Sequence, residues 1–420
     1  MTGGPGGAGS RLPAAAEEGA WKGPGSGQPA GGPPLVVYYC YGGTHTSVVS
    51  AALHLDLLDP RRPPETAELL RLDFFDRNER EEHGRLLPMG HGSGTDGVFV
   101  LGAEGAGDAL ARWCLGLLAL AGDPHRWLFV NVLPEVNLAM KIAGFVSRRL
   151  GWRRLARPLL IQGVRAAFPH LVQRVEGARR AAAQGQAGIL YPEHRPAGAP
   201  GRRHDGVAGP ACRSPGPPAG PGRAVDPAPA GPGDRAVFYV AGGTAHRALL
   251  AAYLHLGRLD PRRAPRPGEV AGLPLLAIPE AAEAGRIFRV GTDSRGRQVL
   301  AAGAGGPDYL AVRAAGSLRA LGYLGGRGAP QLPGVLDQGP LPAWRFVPVG
   351  DSLAWWEKPW LARPAEAGFD GGTPPVRGSK PRPEPPGNAG GGWRWRWQVR
   401  AWTRRWHRLA ELVESVRQAP

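Results

Sequence analysis

Small, hydroxyl-bearing residues follow the first apolar segment of the chain. Residues 35–40 are rich in β-formers, Gly42 and Gly43 stop them, and a helical pattern follows at once. Free N–H groups at a helix start, glycines that let a ligand approach and nearby hydroxyls together favour phosphate or carboxylate. The sequence therefore predicts an anion-binding loop, whose expected ligand-binding residues are Gly42, Gly43, Thr44, Thr46 and Ser47.

The same loop has a simpler interpretation, which is a tight turn followed by a helix capped by Thr44 or Thr46. The loop is not a Walker loop, because it lacks lysine, and it does not match the dinucleotide-binding fingerprint. Both interpretations stay open at this point, and the sequence leaves the cofactor unknown.

Two residues of this segment have side chains suited to catalysis. His45 falls at the helix start, where the helix dipole favours a neutral imidazole that could act as a general base. Cys40 ends the strand beneath the loop, where the helix start could stabilise a thiolate. Its setting is similar to the loops of Cys-based phosphatases, although Thr46 replaces the phosphatase arginine. The alternatives are a surface histidine and a buried apolar cysteine.

An acidic cluster lies before the next predicted strand. It could form a metal or acid/base group, but a solvated loop is the favoured interpretation. No metal site is therefore predicted. Its members are Asp73, Asp76, Glu81, Glu82 and His83.

The elements that must position these residues alternate between strand and helix patterns. Such alternation predicts an α/β fold with a mainly parallel sheet and helices on both faces. After the first strand and helix we expect the following elements: a helix at 65–70, a hairpin of 85–89 with 98–101, a helix at 108–120, a strand at 127–132, a helix ending near 150, a short apolar segment at 159–161 and a last helix to about 180.

The beginning of this unit recurs later in the chain. Residues 39–44 are matched by 239–244 and, one inserted residue later, 54–62 return as 255–263. The offset then stays constant as far as Gly303, which indicates a tandem duplication. Nothing after about residue 324 matches the last strand and helices of the first copy, so we expect the second copy to be incomplete.

Composition divides the chain further. The 65 glycines and 45 prolines concentrate in stretches that lack enough apolar surface to fold. The expected organisation is a disordered leader at 1–34, a complete domain at 35–180, a Pro/Gly linker at 181–234, a degenerate second copy at 235–330, an irregular and linker segment at 331–392, and an amphipathic helix at 393–420.

The C-terminal segment combines tryptophan with arginine. Its apolar residues are spaced alternately by four and three, as on one stripe of a helix. The stripe consists of Trp395, Val399, Trp402, Trp406, Leu409, Val413 and Val416. Such a helix could contact an anionic membrane surface, nucleic acid or a partner helix, or it could pack against the neighbouring half-domain.

Charge and cysteine content narrow the classes of function. The formal net charge of +16 is nearly all arginine, which a GC-rich genome produces without selection for nucleic-acid binding. The three cysteines lack metal-ligand spacing, which suits a reducing compartment. The N-terminus lacks a signal-peptide layout, and the longest apolar run is too short to span a bilayer. We therefore expect a cytoplasmic protein with no transmembrane segment.

The first copy resembles domain-of-unknown-function family 3189, an uncharacterised bacterial α/β family that is common in spore-forming Firmicutes. The resemblance covers the whole first domain, implies no particular activity, and extends over only the first half of the pattern in the second copy. The residues that carry it are 39–48, 53–55, Gly90, 97–102, 128–131, 141–149 and Arg157-Pro158.

Three functional hypotheses follow. The preferred one is a protein that binds a phosphorylated or carboxylated small molecule at the loop, with the second copy as a structural or regulatory pseudo-domain. The second is a phosphoryl or acyl transfer enzyme that uses Cys40 or His45. The third is a non-catalytic scaffold associated with sporulation.

Overall fold

The computed structural model describes residues 32–191, 235–324, 344–349 and 399–419, with gaps at 78–79, 93, 124, 150–151, 277–283, 401–402 and 404. These residues form two α/β units, one for each copy. Both sheets are mixed and mostly parallel, which confirms the fold class expected from the sequence. Most residues of the predicted leader and of the predicted linkers lie outside the described residues.

The first copy is built around a five-stranded sheet of order β2-β3-β1-β4-β5. The central strand β1 pairs in parallel with β3 and β4, and β2 pairs antiparallel with β3 as the predicted hairpin. The elements are β1 (Leu35–Cys40), α1 (Thr46–His54), α2 (Thr66–Arg71), β2 (Leu86–Gly92), β3 (Thr95–Gly102), α3 (Asp108–Leu120), β4 (Trp127–Asn131), α4 (Leu138–Arg149), α5 (Arg153–Ala183) and β5 (Gly188–Leu190).

The end of the first copy differs from the sequence-based expectation. Residues 159–161 do not form a separate apolar element, because they lie inside the 31-residue helix α5. The last strand is β5, which pairs in parallel with β4 and lies beyond residue 180. The first copy therefore extends some way into the segment expected to be linker.

The second copy forms a four-stranded sheet of order β7-β8-β6-β9. Its central strand β6 pairs in parallel with β8 and β9, and β7 pairs antiparallel with β8. The elements are β6 (Ala236–Ala241), α6 (His246–His255), α7 (Pro267–Ala271), β7 (Ile287–Thr292), β8 (Gln298–Gly303), α8 (Asp308–Ala320), β9 (Trp344–Pro348) and the C-terminal helix α9 (Trp406–Gln418).

Strand β9 extends the second copy beyond the boundary at residue 330 expected from the sequence. Trp344 lies opposite Ala236 in the second sheet as Trp127 lies opposite Leu35 in the first. The sequence Trp-Arg-Phe-Val of β9 also repeats Trp-Leu-Phe-Val of β4. The fourth strand of the fold is therefore present in both copies, and in the second it follows a longer connection.

The strand register also corrects the alignment of the two copies. Leu35 pairs with Gly97 where Ala236 pairs with Gln298, so positions 201 apart are equivalent from the first strand onward. A buried hydrogen bond agrees: the Tyr38 hydroxyl lies 2.7 Å from His54 Nδ1, and the Tyr239 hydroxyl lies 2.7 Å from His255 Nδ1. No residue is inserted between the strand and the helix, and the Gly-Gly-Thr run is shifted by one position relative to the strand.

One hydrophobic core is shared by the two copies. Helices α3 and α8 pack against each other between the two sheets, and their apolar residues belong to a single buried cluster with strand residues from both sheets. Trp113 is fully buried there, and its indole N–H donates to the Ala311 carbonyl of the other copy at 2.9 Å. The described residues therefore form five layers: helices, sheet, the α3/α8 layer, sheet and helices.

Contacts across the shared layer are reciprocal. Arg112 donates to the Ala284 carbonyl, and Arg313, which is 201 positions further on, donates to the His83 carbonyl. The equivalent glycines Gly84 and Gly285 both have left-handed φ angles, of 84° and 86°, and each lies against the backbone of the opposite helix. The two copies are thus related by an approximate twofold axis within one chain.

The C-terminal helix packs against the second copy. Its apolar face contributes Trp406, Leu409, Val413 and Val416 to a core with helix α6. Arg405 has a left-handed φ of 55°, so the helix begins at Trp406 and does not run continuously through the predicted stripe. Trp395 and Trp402 lie outside the described residues. Of the alternatives for this helix, packing against the half-domain accounts for its apolar face.

We predict that Gly285→Ala destabilises the protein by about 1–3 kcal/mol, because the new Cβ would lie 2.1 Å from the Ala109 carbonyl oxygen across the shared layer. Gly296→Ala is the matched control, since Gly296 has a similar φ of 76° but no atom within 4 Å of its Cβ position. Chemical denaturation of the two variants measures the difference. Equal losses would mean that backbone strain, and not packing between the copies, accounts for the effect.

Candidate functional site

The predicted anion-binding loop connects β1 to α1 at the carboxyl edge of the first sheet. Gly43 has a φ of 73°, and a Cβ on it would lie 2.6 Å from the backbone nitrogen of Gly102, at the end of β3. Gly43 is therefore required for the close approach of two backbone segments. Its expected role in letting a ligand approach stays a prediction.

Gly42 has a different role from Gly43. A Cβ on Gly42 would meet only the Thr44 hydroxyl oxygen, at 3.5 Å. This is an ordinary van der Waals distance, so the packing of the backbone does not require a glycine at position 42. The hydroxyls of Thr44 and Thr46 are buried, at 3% and 0% exposure, and neither has a hydrogen-bond partner in the described part of the chain.

Helix α1 begins without a side-chain cap. His45 occupies the N-cap position, its side chain does not bond to the first turn, and that turn contains no acidic residue. Neither Thr44 nor Thr46 caps the helix, although the sequence suggested both. The positive end of the helix dipole therefore meets two hydroxyls that have no hydrogen-bond partner among the described residues.

Cys40 lies beneath the loop with its sulfur in contact with two polar groups. The Gly43 N–H donates to Cys40 Sγ at 3.2 Å, and the Ser47 hydroxyl lies 3.2 Å from the same sulfur. The side chain is buried in the core between the sheet and α1. The cysteine thus combines the burial expected of a core residue with two polar contacts to its sulfur.

His45 lies beside a carboxylate from the loop that follows α2. Its Nε2 is 3.5 Å from Asp76 Oδ1, which is too long for a good hydrogen bond, and its ring meets Phe75 edge-on. Arg157 from α5 donates to Asp76 Oδ2 at 2.7 Å. Burial alone raises the pKa of Asp76, but its contacts with His45 and Arg157 outweigh burial and hold the pKa below its ordinary value.

A second polar group lies on the other side of the same edge, and sequence reasoning identified only half of it. His83 Nδ1 is 2.7 Å from Glu104 Oε1, and both side chains are largely buried. The sequence placed His83 in the acidic cluster but did not single out Glu104. A comparison of the two copies could have identified this pair. The first copy has His83 and Glu104, and both are replaced in the second copy, by Ala284 and Gly305.

The acidic cluster does not come together as one site. Asp73 is exposed and lies 3.8 Å from Arg77, Glu81 is exposed, Asp76 faces His45, and His83 faces Glu104. Among the residues that the structure describes, no group of three or more His, Cys, Asp or Glu side chains is arranged to hold a metal ion.

Two surface cavities of about 330 and 460 Å³ lie on the second copy, away from the β1–α1 loop. The first is lined by His255, Asp293, Arg295, Arg297 and the C-terminal end of α9. Arg297 is paired with Asp293, and Arg295 donates to the Ala419 carbonyl. Because these arginines already hold the C-terminal helix, we assign the first cavity a structural role.

Comparison with known proteins identifies the family. The family model described as "Protein of unknown function (DUF3189)" matches residues 35–180 and again residues 236–323, together more than half of the chain. The chain belongs to the DUF3189 family. Neither a curated protein nor a solved structure matches it. The two matched segments agree with the two copies in the structure.

The second DUF3189 copy keeps the loop histidine as His246 but lacks the cysteine and the three hydroxyl side chains at their equivalent positions. With the equivalence of positions 201 apart, Ala241, Ala245, Arg247 and Ala248 stand where the first copy has Cys40, Thr44, Thr46 and Ser47. The equivalent of Cys40 is thus Ala241 and not Val240. Arg247 is 3% exposed, and its Nε donates to the Val349 carbonyl at 2.9 Å.

Membrane insertion through a helix finds no support in the described residues of this DUF3189 protein. None of their helices combines the length and the apolar character that crossing a bilayer requires.

We predict that Asp76→Asn destabilises the protein at neutral pH by on the order of 1 kcal/mol, since it removes the charge that faces His45 and Arg157. Asparagine tolerates the left-handed φ of 56° at this position. The lowered pKa of Asp76 contributes stability above its unfolded value of 3.8, and this contribution is lost as the pH falls through the folded pKa. Denaturation curves of the two proteins should therefore converge in acid. A difference that is independent of pH would contradict this electrostatic account.

Proposed function

We propose that the first copy binds a small anion, a phosphate or carboxylate group of a cytoplasmic metabolite, at the loop between β1 and α1. The ligand-binding residues are those of the loop from Gly42 to Ser47. The free thiols of Cys40 and Cys114 suit the reducing compartment that this assignment requires.

The observation that carries the proposal is the pair of buried threonine hydroxyls without partners. Burying a hydroxyl without a hydrogen bond costs about 1–3 kcal/mol, so such groups are rare unless a ligand or water satisfies them. The hydroxyls of Thr44 and Thr46 are both buried, neither has a hydrogen-bond partner within the part of the chain that the structure describes, and they lie two residues apart. An anion that accepts both hydrogen bonds would remove this cost.

Helix α1 supplies the electrostatic part of the proposed site. The N–H groups of a first helical turn carry partial positive charge and have no acceptor within the helix. No acidic side chain in the first turn of α1 competes for them. The loop also lies at the carboxyl ends of parallel strands, where open α/β sheets bind their ligands.

The second copy provides an internal comparison that supports the proposal. It keeps the strand, the turn and the helix, but Ala245 and Arg247 replace the two threonines, and the Arg247 side chain donates to the Val349 carbonyl. The fold therefore does not need these hydroxyls. Their presence in the first copy is better explained by a ligand than by stability.

We predict that inorganic phosphate raises the melting temperature of the full chain and that Thr44→Val reduces this rise. Valine has the shape of threonine without the hydroxyl, so the variant should lose a hydrogen bond to the anion. Without phosphate the same variant should be as stable as the original protein or more stable, because the unpartnered hydroxyl is removed. Differential scanning calorimetry over a phosphate series measures both effects.

Thr244→Val is the matched control. Thr244 belongs to the Gly-Gly-Thr run of the second copy, and its hydroxyl is 2.9 Å from His246 Nδ1. Its phosphate response should equal that of the unchanged protein. If phosphate has no effect on the unchanged protein, or if Thr44→Val responds fully, the loop is a structural turn.

A second candidate function rests on the two hydrogen bonds to Cys40. A thiolate that accepts from a backbone N–H and from a hydroxyl is stabilised and nucleophilic, as phosphoryl or acyl transfer through cysteine requires. His45 lies in the same loop as the candidate base. This function would use the same anion site, with Cys40 beneath it.

We predict that iodoacetamide at neutral pH labels Cys40 faster than Cys114, and that Ser47→Ala slows the labelling of Cys40. Burial raises the pKa of Cys114, which is 0% exposed, so its thiolate is disfavoured. Ser50→Ala is the matched control, because Ser50 is buried on the same helix but has no hydrogen bond to Cys40. Peptide mass spectrometry separates the cysteines. Labelling of Cys40 that does not depend on Ser47 would exclude the activated thiolate.

A further inference from the structure

The pair formed by His83 and Glu104 leaves one imidazole nitrogen without a partner. A carboxylate can only accept, so the 2.7 Å contact with Glu104 Oε1 favours the tautomer in which His83 Nδ1 carries the proton, and in that tautomer Nε2 has a lone pair. His83 is 5% exposed, and its Nε2 is buried with no hydrogen-bond partner among the described residues. A buried acceptor of this kind requires a donor from a ligand or a water molecule.

The second copy supplies part of this group. The Tyr309 hydroxyl of α8 donates to the same Glu104 Oε1 at 2.6 Å. Arg313, one turn further along α8, stacks on the Tyr309 ring at 4.7 Å and donates to the His83 carbonyl at 3.1 Å. The orientation of Glu104, and through it of His83, therefore depends on the helix of the other copy.

The approximate twofold axis relates this group to an equivalent position, at which the group is absent. There Ala284 replaces His83, Gly305 replaces Glu104, and Asp108 stands in place of Tyr309. Asp108 Oδ1 instead accepts from Tyr39 and Asn131 of its own copy. At this equivalent position the copies pack together without the polar group, so the association of the copies does not require that group.

The group lies next to the proposed anion loop. The Glu104 N–H donates to the Tyr41 carbonyl at 2.7 Å. Gly84, which follows His83, donates to the Gly102 carbonyl at 2.8 Å, and the nitrogen of Gly102 borders Gly43. The loop and the histidine therefore flank the same residue at the end of β3. Glu104 itself has a left-handed φ of 43°, a conformation that non-glycine residues adopt at an energetic cost.

We propose that His83, positioned by Glu104 and by Tyr309 of the second copy, accepts a hydrogen bond from an O–H group of the ligand held at the loop. The ligand class is then a phosphate that carries an acidic O–H, or an anion with an adjacent hydroxyl. The second copy would thus complete a site that lies in the first. This inference rests on the proposed function and specifies which anions the site would prefer.

The same geometry allows proton transfer. When His83 Nε2 takes the proton, the ligand O–H bond breaks, an N–H bond forms, and the oxygen keeps the electron pair. Glu104 balances the positive charge of the resulting imidazolium through its hydrogen bond to Nδ1. No other reactant is required for this step.

A comparison of phosphate with sulfate tests the proposal. Both are tetrahedral anions of similar size, but at neutral pH phosphate keeps an O–H group and sulfate does not. One hydrogen bond to His83 Nε2 should make the full chain bind phosphate about 3- to 10-fold more tightly than sulfate in isothermal titration calorimetry. His83→Ala should abolish this preference while sulfate binding stays unchanged. Alanine already occupies the equivalent position 284, so the fold accommodates it.

Two further variants test the role of the positioning residues. Glu104→Gln and Tyr309→Phe should both reduce the preference for phosphate over sulfate, whereas His91→Ala, at an exposed histidine, should not. A purely structural role of the group would weaken the binding of both anions equally. Equal affinity for the two anions in the unchanged protein, or a preference that survives His83→Ala, overturns this inference and leaves the anion loop intact. If neither anion binds, the loop proposal fails, and this inference fails with it.

Discussion

The contact between helices α3 and α8 is the constraint on which the rest of the structure depends. The two helices share one apolar layer, and each helix also lies against a loop of the other copy, because Gly84 has no side chain where it meets α8 and Gly285 has none where it meets α3. Trp113 fills this layer and donates its indole N–H across it. Each copy therefore contributes half of a core that neither copy encloses alone.

This packing brings the polar edge of the first sheet next to the second copy. The β1–α1 loop contributes buried hydroxyls and the Cys40 sulfur, and the segment around His83 contributes an oriented imidazole. Tyr309 reaches Glu104 from the far side of the shared layer. The proposed site is thus held by backbone contacts within the first copy and by side chains from the second, which explains a structural role for a copy that lacks the loop chemistry.

The sequence was sufficient for the family, for the α/β class and for most element positions of the first copy, because apolar strands and helical patterns alternate clearly there. The sequence-based predictions were wrong where contacts between distant residues determine the structure. Residues 159–161 resemble a strand locally but continue a helix, since α5 packs along α1. The short β9 was missed because a long connection separates it from α8, and the Gly-Gly-Thr run favoured an alignment that differs by one residue from the strand register.

The candidate site was predictable only in part for a related reason. Residue types and helix polarity indicated the loop, but the separate roles of Gly42 and Gly43 depend on what each Cβ would touch. The partnership of His83 with Glu104 joins residues 21 positions apart, and that of Glu104 with Tyr309 joins residues 205 positions apart. No local sequence pattern predicts such pairs. The replacement of both residues in the second copy, by Ala284 and Gly305, did indicate that the two positions act together.

The twofold relation within one chain has a consequence for how such a protein can evolve. In a homodimer every substitution appears in both subunits. A residue that is required at one interface position therefore cannot be lost from the symmetry-equivalent position. Joining the copies covalently removes that coupling and also makes their association independent of protein concentration. One half can then keep Glu104 while the other carries Gly305. A symmetric assembly with two equal sites would in this way become an asymmetric protein with one.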